Sequence, residues 1–132
     1  MDYKSLAKGF VDFYYKAYNG HLKQDEIQRH QLSILYTKET LLTNQDQELI
    51  GVESIMNYIL NENLKYHMKE PVNISSQPSG GNSVLVCVQG ESLFVDMEIP
   101  QRLSFSEIFL ITINENRDGF VIMNQIFSTQ GI

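Results

Sequence analysis

The sequence contains a single cysteine, no tryptophan, and no apolar run of the roughly eighteen residues that a membrane-spanning helix needs. Cys87 therefore cannot form an internal disulfide, and its apolar neighbours predict a small buried side chain instead of a reactive thiol. Residues 1–10 lack the apolar core of a secretory signal peptide. We therefore expect a protein of the cytoplasm, with access to the nucleus and without membrane insertion.

Positive charge is also scarce. The chain has ten Lys and Arg residues against sixteen Asp and Glu residues, which gives a formal net charge of −6. This balance provides no basic surface for phosphate backbones, so we expect no direct nucleic-acid partner. With 132 residues, 42% of them hydrophobic, the chain is long enough to bury one core, and we expect a single domain over residues 1–132.

Motifs that carry chemistry are missing as well. The histidines His21, His30 and His67 show no metal-ligand spacing with one another or with Cys87. The sequence has no glycine-rich phosphate loop and no nucleophile elbow. We therefore expect no metal, no cofactor and no enzymatic activity. His21 follows Gly20, which we expect to end a helix, so His21 is predicted to be exposed.

What the sequence does contain is apolar residues spaced for three helices. The predicted bounds are residues 2–18, 24–36 and 52–63. Asp2 or Ser5 would cap the first helix, and the pair Asn19-Gly20 would end it. The predicted apolar faces are Leu6, Phe10, Phe13, Tyr14 and Ala17 in the first helix and Val52, Ile55, Met56, Ile59 and Leu60 in the third. The second helix has a weaker stripe, formed by Ile27, Gln31, Ile34 and Leu35.

The remaining apolar segments predict strands. Their bounds are residues 40–43, 48–50, 66–76, 84–88 with a continuation at 93–95, 103–113 and 120–127, with turns at 44–47, 77–82 and 114–119. Pro71 lacks an amide donor, which predicts an edge position or a bulge. The uninterrupted apolar run at 84–88 predicts a strand buried on both faces, and Gly90 predicts a bulge. This order of elements favours an α+β fold, with helices on one strongly curved antiparallel sheet and a pocket on its concave side.

Short segments along the chain carry a family resemblance. They are Phe10-Val11, Tyr14-Tyr15, Leu35-Tyr36, Leu42-Thr43, Gly51, Gln77-Pro78, Val84-Leu85-Val86, Gly90, Pro100-Gln101-Arg102, Phe105, Phe109 and Ile126-Phe127. In order and spacing they resemble the nuclear transport factor 2 family over almost the whole chain. The resemblance implies a cone-shaped, cystatin-like fold with three helices packed into a curved antiparallel sheet. It also implies a homodimer joined through the outer faces of the sheets.

The same resemblance implies two protein partners, the GDP-bound GTPase Ran and the Phe-Gly repeats of nucleoporins, and a location at the nuclear pore and envelope. The implied Ran-binding residues are Asp96, Glu98, Gln45, Tyr66 and Phe127, and the implied nucleoporin-binding residues are Phe10 and Asn44. Asp96 and Glu98 project to one side of an extended loop and would pair with basic residues of Ran. Tyr66 and Phe127 would line a cavity that receives a phenylalanine of Ran.

Some positions depart from the family pattern. Asn44 and Gln45 stand where the family has an aromatic residue and a glutamate, and Gln125 stands where it commonly has an aspartate. The neighbouring Asn124 is expected to satisfy a buried backbone group. These departures leave a second interpretation open, in which the chain is a related messenger-RNA export cofactor or a ribonucleoprotein scaffold module that binds another protein.

Glu107 is the basis of a third, enzymatic interpretation. Alternation along its strand places it on the same side as Leu103, Phe105, Phe109, Ile111 and Ile113. Apolar neighbours would raise the pKa of its carboxyl, as in an isomerase- or dehydratase-like site. The family carries a glutamine at this position, so we favour a structural role for Glu107.

Overall fold

A computed structural model of the chain describes residues 2–61, 67–94, 101–114 and 119–131. Its elements, in chain order, are α1 (Tyr3–Leu22), α2 (Glu26–Ser33), β1 (Tyr36–Asn44), β2 (Gln47–Ile50), α3 (Val52–Asn61), β3 (His67–Ser79), β4 (Ser83–Phe94), β5 (Gln101–Asn114) and β6 (Gly119–Gly131). The strands form one open, curved sheet in the order β2-β1-β6-β5-β4-β3. All neighbouring strands are antiparallel except β1 and β6, which are parallel. The predicted α+β cone is therefore confirmed.

The core lies between α1 and the concave face of the sheet. The buried residues of α1 are Ala7, Phe10, Val11, Tyr14, Tyr15, Ala17, Tyr18 and His21. The Phe10 ring meets Phe109 of β5 and Phe120 of β6 at centroid distances of 4.9 and 5.7 Å. Burial of such a side chain contributes about 1.5–3 kcal/mol to stability. Phe10 is thus a central residue of the core.

The end of α1 differs from the prediction. The Asp2 carboxylate accepts hydrogen bonds from the backbone amides of Lys4 and Ser5, as predicted, but the helix continues through Asn19 and Gly20 to Leu22. Gly20 is in a close approach to α2, because a Cβ there would lie 2.5 Å from Cγ of Gln28. The helix therefore carries the next residue, His21, inward, where it is only 3% exposed. The predicted exposure of His21 was wrong, and Phe13 on the opposite side of α1 is 37% exposed.

The second helix is shorter than predicted and has a different apolar face. It begins at Glu26, because the Asp25 carboxylate caps the amides of Ile27 and Gln28. Ile27 is 72% exposed, whereas the buried residue of the helix is Leu32. The stripe predicted for this helix was therefore wrong. The third helix begins at Val52, as predicted, and the hairpin precedes it, but β1 begins at Tyr36, four residues before the predicted start.

Strand β3 is an edge strand, as Pro71 predicted, and it also contains an irregularity. Its pairing with β4 shifts register between Pro71 and Asn73. The residue opposite Pro71 is Gly90, and a Cβ at Gly90 would overlap the Glu70 carbonyl oxygen and the Phe105 ring. The bulge expected at Gly90 therefore lies on the partner strand, and glycine at 90 permits the close approach. The strand also extends through part of the predicted 77–82 turn, to Ser79.

In strands β4 to β6, the described part of the chain covers only one face of the sheet. In β4 the side chains of Val84, Val86 and Val88 are buried, whereas Leu85 is 36% exposed and Cys87 is half-buried. The prediction of a strand buried on both faces, with Cys87 fully enclosed, was wrong. Strand β5 has the predicted bounds within two residues, and β6 continues beyond residue 127. The predicted turn at 114–119 falls largely on residues 115–118, outside the described part.

Candidate functional site

The predicted partner-binding residues fall into three groups. Asp96, Glu98 and Tyr66 lie outside the described residues. Asn44 and Phe127 are register partners in the parallel pair of β1 and β6, and the Gln45 amide donates to the Phe127 carbonyl oxygen at 3.2 Å. The structure therefore brings these three residues together at one end of the cone. Phe10 belongs to the core described above and is fully buried.

The polar side chains at this end, which we call the rim, are already engaged within the chain. Asn44 Nδ2 donates to the Tyr58 hydroxyl at 2.8 Å, and Gln45 Nε2 donates to Thr129 Oγ1 at 3.0 Å. Gln45 has a φ of 54°, which the tight turn between β1 and β2 requires. Gln45 is exposed and Asn44 is half-buried, so both uncharged amides lie at or near the surface of the rim.

Phe127 is covered by a lysine that the sequence analysis did not single out. Lys69 Nζ lies 3.9 Å from the Phe127 ring centroid and 4.1 Å from the Tyr18 ring centroid. A cation between two ring faces at such distances is attracted by the quadrupoles of both rings. Lys69 is 2% exposed and Phe127 is 3% exposed. A partner side chain can therefore reach Phe127 only if Lys69 moves.

The Lys69 ammonium forms a buried ion pair with Glu107. Its Nζ lies 3.1 Å from Oε1 and 3.3 Å from Oε2 of the fully buried Glu107 carboxylate. The Tyr15 hydroxyl donates to Oε1 at 2.8 Å, and Gln125 Nε2 donates to Oε2 at 2.6 Å. Glu107 thus has three donors besides its apolar neighbours, and its buried charge is compensated.

Two more tyrosines orient Gln125. The Tyr36 hydroxyl donates to Gln125 Oε1 at 2.7 Å, and Gln125 Nε2 donates to the Tyr14 hydroxyl at 2.9 Å. We call the set of Lys69, Glu107, Gln125 and the hydroxyls of Tyr14, Tyr15 and Tyr36 the interior cluster. Each member has a partner, so the cluster behaves as a closed network, which rigidifies the core.

Helix α1 positions this cluster from one side. Tyr14, Tyr15 and Tyr18 project from it toward the sheet, and the next residue, Asn19, holds the backbone of Lys69. The Lys69 amide donates to Asn19 Oδ1 at 2.9 Å, and Asn19 Nδ2 donates to the Lys69 carbonyl oxygen at 2.8 Å. The Asn19 amide therefore satisfies the outer edge of β3 as a neighbouring strand would.

The electrostatics of the cluster follow from burial. Burial lowers the pKa of Lys69, and the Glu107 carboxylate offsets part of this effect because it favours the ammonium form. Burial raises the pKa values of Tyr14, Tyr15 and Tyr18 well above their ordinary range, and the nearby Glu107 charge raises them further. These hydroxyls are therefore protonated donors at neutral pH.

This arrangement does not match the proton-transfer site that Glu107 suggested in the sequence. A general base needs a lone pair that faces the substrate, but both oxygens of Glu107 already accept hydrogen bonds from Tyr15, Lys69 and Gln125. The carboxyl is also fully buried. Its predicted placement on the inward face beside Phe105, Phe109 and Ile111 was confirmed. The ion pair with Lys69 and the hydrogen bonds from Tyr15 and Gln125 were not predicted.

Lys69 was not predicted to belong to the site, and Asn124 was assigned the wrong environment. The inward position of Lys69 could have been predicted, because alternation along β3 places it between the outward residues Met68 and Glu70. Asn124, expected to satisfy a buried backbone group, is instead exposed, and its neighbour Gln125 is the buried polar residue. The two exchange roles because β6 shifts register against β5 after Leu110.

In the residue ranges that the structure describes, no group of three or more His, Cys, Asp or Glu side chains is arranged to hold a metal ion. None of the helices in these same ranges combines the length and apolar character required to cross a membrane.

Comparisons with known proteins place the chain in a family. Residues 6–129 match the family model for the Nuclear transport factor 2 (NTF2) domain. Nuclear transport factor 2 of Candida glabrata is 30% identical over 128 residues, which are 96% of this chain and 94% of that protein. The structure of nuclear transport factor 2 from Cryptosporidium parvum is 26% identical, with a TM-score of 0.75 over 97% of this chain and 94% of that one.

The fold is also shared more widely. A ketosteroid isomerase-like protein from Erwinia carotovora atroseptica superimposes with a TM-score of 0.71 over 95% of this chain and 94% of that one, at 12% identity. Identity at that level shows a shared fold alone, whereas the family match spans both the helices and the sheet that form the interior cluster. The chain therefore belongs to the nuclear transport factor 2 family.

Proposed function

We propose that this chain is a nuclear transport factor that binds GDP-bound Ran and the Phe-Gly repeats of nucleoporins, and so moves between the cytoplasm and the nucleus through the nuclear pore. The observation that carries the proposal is the similarity to proteins named nuclear transport factor 2 over 96% of the chain. Relatives from several fungi share that name and that coverage. The net charge of −6 fits a partner with a basic surface.

The proposed Ran surface combines the acidic residues Asp96 and Glu98 with the rim. Partly desolvated carboxylates of this kind steer encounter with basic side chains and fix the register of the complex. Gln45 contributes through its exposed amide, and Phe127 lies toward the interior of the cone. The family resemblance adds Tyr66 to this surface. Because Lys69 covers Phe127, we expect Ran to contact the acidic residues and the rim first.

The proposed nucleoporin site includes Asn44 and the region around Phe10. Phe10 is fully buried among Tyr14, Phe109 and Phe120, so a direct contact with a Phe-Gly repeat requires the core around it to rearrange. Asn44 supplies a polar amide where the family has an aromatic ring. We therefore expect binding of Phe-Gly repeats to be weaker than that of Ran.

The proposed homodimer uses the outer face of the sheet. Pairing between β4, β5 and β6 places five apolar or sulfur-containing side chains on this face: Leu85, Cys87, Ile108, Leu110 and Ile126. Leu85 is 36% and Ile126 is 49% exposed. A second copy laid over this face would enclose the stripe, which also accounts for the uninterrupted apolar sequence at 84–88.

The experiment that tests the Ran proposal is calorimetric titration of the purified protein with Ran loaded with GDP and, separately, with a GTP analogue. We expect micromolar or tighter binding to the GDP form only. The double variant Asp96→Lys with Glu98→Lys should abolish this binding while circular dichroism shows a folded domain. A matched control, Glu26→Lys with Glu39→Lys, makes the same charge change at exposed sites on α2 and β1 and should bind normally. Equal affinity of both double variants would contradict the proposed surface.

A second candidate function is favoured by the rim. Asn44 and Gln45 are held by Tyr58 and Thr129, and neither side chain is aromatic or charged. A messenger-RNA export cofactor or ribonucleoprotein scaffold module would bind a different protein there. Recovery of the chain from cell extract as a stable heterodimer, together with no binding to either form of Ran, would favour this candidate over Ran transport.

A further inference from the structure

The interior of the cone has the chemistry of an ammonium-binding site. Lys69 Nζ lies over the faces of Tyr18 and Phe127, and the rings of Tyr14 and Phe105 are 5.9 and 6.0 Å away. The Glu107 carboxylate completes the enclosure at 3.1 Å. Aromatic faces together with a carboxylate are the combination by which proteins recognise alkylammonium ions. Here the cation comes from the chain itself.

The placement of this cation requires an explanation, because a lysine on an edge strand can reach water at little cost. Lysine side chains usually extend so that the ammonium group stays hydrated. Transfer of an ammonium group to the interior costs several kcal/mol unless carboxylates and hydrogen bonds compensate it. Lys69 is nevertheless 2% exposed. The enclosure must therefore offset most of the lost hydration.

The backbone of Lys69 is fixed independently of its charge. Asn19 binds both the amide and the carbonyl group of Lys69, and the register between β3 and β4 pairs Lys69 with the buried residue Ser92. Both constraints direct the side chain inward from a defined point. The contacts that fix the backbone of Lys69 are thus distinct from the rings and the carboxylate that surround its ammonium group. This is the arrangement of a binding site whose ligand is attached to the chain.

We propose that the cone interior is an ammonium-binding site that the chain fills with its own Lys69, and that this occupant excludes outside ligands from the interior. Without the Lys69 side chain, the enclosure takes a small primary alkylammonium ion in the same position. Recognition uses the faces of Tyr18 and Phe127 and the Glu107 carboxylate. The proposal does not depend on which protein partner binds the rim.

The test uses the variant Lys69→Ala with n-propylammonium chloride as the probe and n-propanol as its neutral counterpart. We expect a saturable rise in Tm with n-propylammonium, no comparable rise with n-propanol, and no rise for the wild type. Lys16→Ala, which removes an exposed lysine of α1, is the matched control and should resemble the wild type. Equal stabilisation by the alcohol and the amine, or no stabilisation by either, would overturn the proposal.

A second variant tests whether Glu107 is the source of the preference for the amine. A measurement on the wild type tests the proposal if Lys69→Ala does not fold. Adding Glu107→Gln to Lys69→Ala should remove the preference for the amine over the alcohol; a retained preference counts against the site. In the wild type, ¹⁵N-labelled lysine should give one ammonium signal with slow proton exchange and an upfield shift from the two rings. If every lysine ammonium exchanges at the rate of the exposed ones, Lys69 is not enclosed and the proposal fails.

Discussion

The two faces of the sheet invert the usual relation between polarity and burial. The concave face, covered by α1, encloses a lysine, a glutamate, a glutamine and several tyrosine hydroxyls. The convex face carries Leu85, Ile108 and Ile126, which the described part of the chain leaves exposed or half-buried. Both faces belong to the same strands, and alternate residues of β5 serve one or the other.

The comparison separates what each face does. On the concave face each buried polar group has a partner inside the chain, so that face is complete and specifies one arrangement of α1 on the sheet. On the convex face the apolar side chains stay exposed or half-buried among the described residues, as on a surface that associates with another molecule. Adjacent residues of one strand should therefore respond very differently to substitution.

The sharpest contrast is between Glu107 and its neighbour Ser106, which lies on the convex face. Glu107→Ala leaves the Lys69 ammonium buried without a carboxylate, and we expect it to lower the free energy of unfolding by about 3–5 kcal/mol. Ser106→Ala, with its half-buried side chain, should change it by no more than about 0.5 kcal/mol. Urea denaturation measures both values. Similar values for the two variants would remove the distinction between the faces.

A double variant refines this result. Lys69→Met with Glu107→Gln removes both charges and keeps an acceptor for the Tyr15 hydroxyl. We expect it to be more stable than Glu107→Ala, because no uncompensated charge remains in the core. If the double variant instead loses as much unfolding free energy as Lys69→Met and Glu107→Gln lose together when measured singly, the two side chains contribute independently and are not an interacting pair.

Alkaline pH should also lower the stability of the folded chain, through the buried tyrosines of the concave face. Burial raises the pKa values of Tyr14, Tyr15, Tyr18 and Tyr36, so above pH ~10 the unfolded chain loses protons that the folded chain retains. Stability therefore falls as pH rises, by about 1.4 kcal/mol per pH unit for each such tyrosine. The lowered pKa of Lys69 acts in the opposite direction, since the unfolded chain then binds the additional proton.

Urea midpoints between pH 8 and pH 11 measure this slope. Tyr36→Phe removes one of the four groups, so its slope should be shallower by about 1.4 kcal/mol per pH unit. Its stability at pH 8 should be lower than that of the wild type, because Gln125 Oε1 loses a donor. A stability that stays constant through pH 11 would mean that the hydroxyls are hydrated in solution.

Much of this architecture is encoded locally and was predictable. The cap at Asp2, the edge position of Pro71 and the inward direction of Glu107 each follow from one residue and its neighbours. The partner of Glu107 does not follow from the neighbouring residues in the sequence. Lys69 pairs with Ser92, which pairs with Leu103, so its ammonium group must reach along the curved sheet to a residue four positions further along β5. Alternation along a strand predicts the face of the sheet on which a side chain lies, but not how far along the sheet the side chain extends.

The errors in the sequence analysis have a common physical cause. Asn19 and Gly20 resemble a helix end, but both lie inside α1, where Asn19 binds the backbone of Lys69 and Gly20 packs against Gln28. The helix therefore continues, and His21 is buried as a result. Similarly, the apolar run at 84–88 predicts burial on both faces, whereas the described part of the chain covers only one of them. In each case the deciding partner comes from elsewhere in the fold or from outside the chain.

Acid should weaken the junction between α1 and α2 through His21. Arg29 Nε donates to His21 Nδ1 at 3.1 Å, which requires an unprotonated nitrogen. Burial lowers the pKa of His21, and the Arg29 charge lowers it further. Below pH ~6.5 the unfolded chain therefore takes up a proton that the folded chain does not, and stability falls as pH falls. Urea midpoints at pH 7.5 and pH 5 measure this loss, which we expect to be smaller than that of Glu107→Ala.

The matched variants for this prediction are His21→Gln and His30→Gln. Glutamine at 21 can still accept from Arg29 and does not titrate, so its loss between pH 7.5 and pH 5 should be reduced. His30 is exposed on α2, and its replacement should leave the acid dependence of the wild type in place. The attribution to His21 is mistaken if the two variants lose stability equally.

The convex face should tolerate charge in the monomer but not in an assembly. Ile126→Lys places an ammonium group beside Ile108 at the β6 side of the apolar stripe, where the side chain is 49% exposed. We expect the unfolding free energy of the monomer to change by no more than about 0.5 kcal/mol. Sedimentation velocity should show a loss of dimer, because a second copy would bury the new charge. Ile27→Lys, at an exposed isoleucine of α2, should leave association unchanged. If instead both variants associate like the wild type, the stripe is not the dimer surface, and the open face serves a different partner.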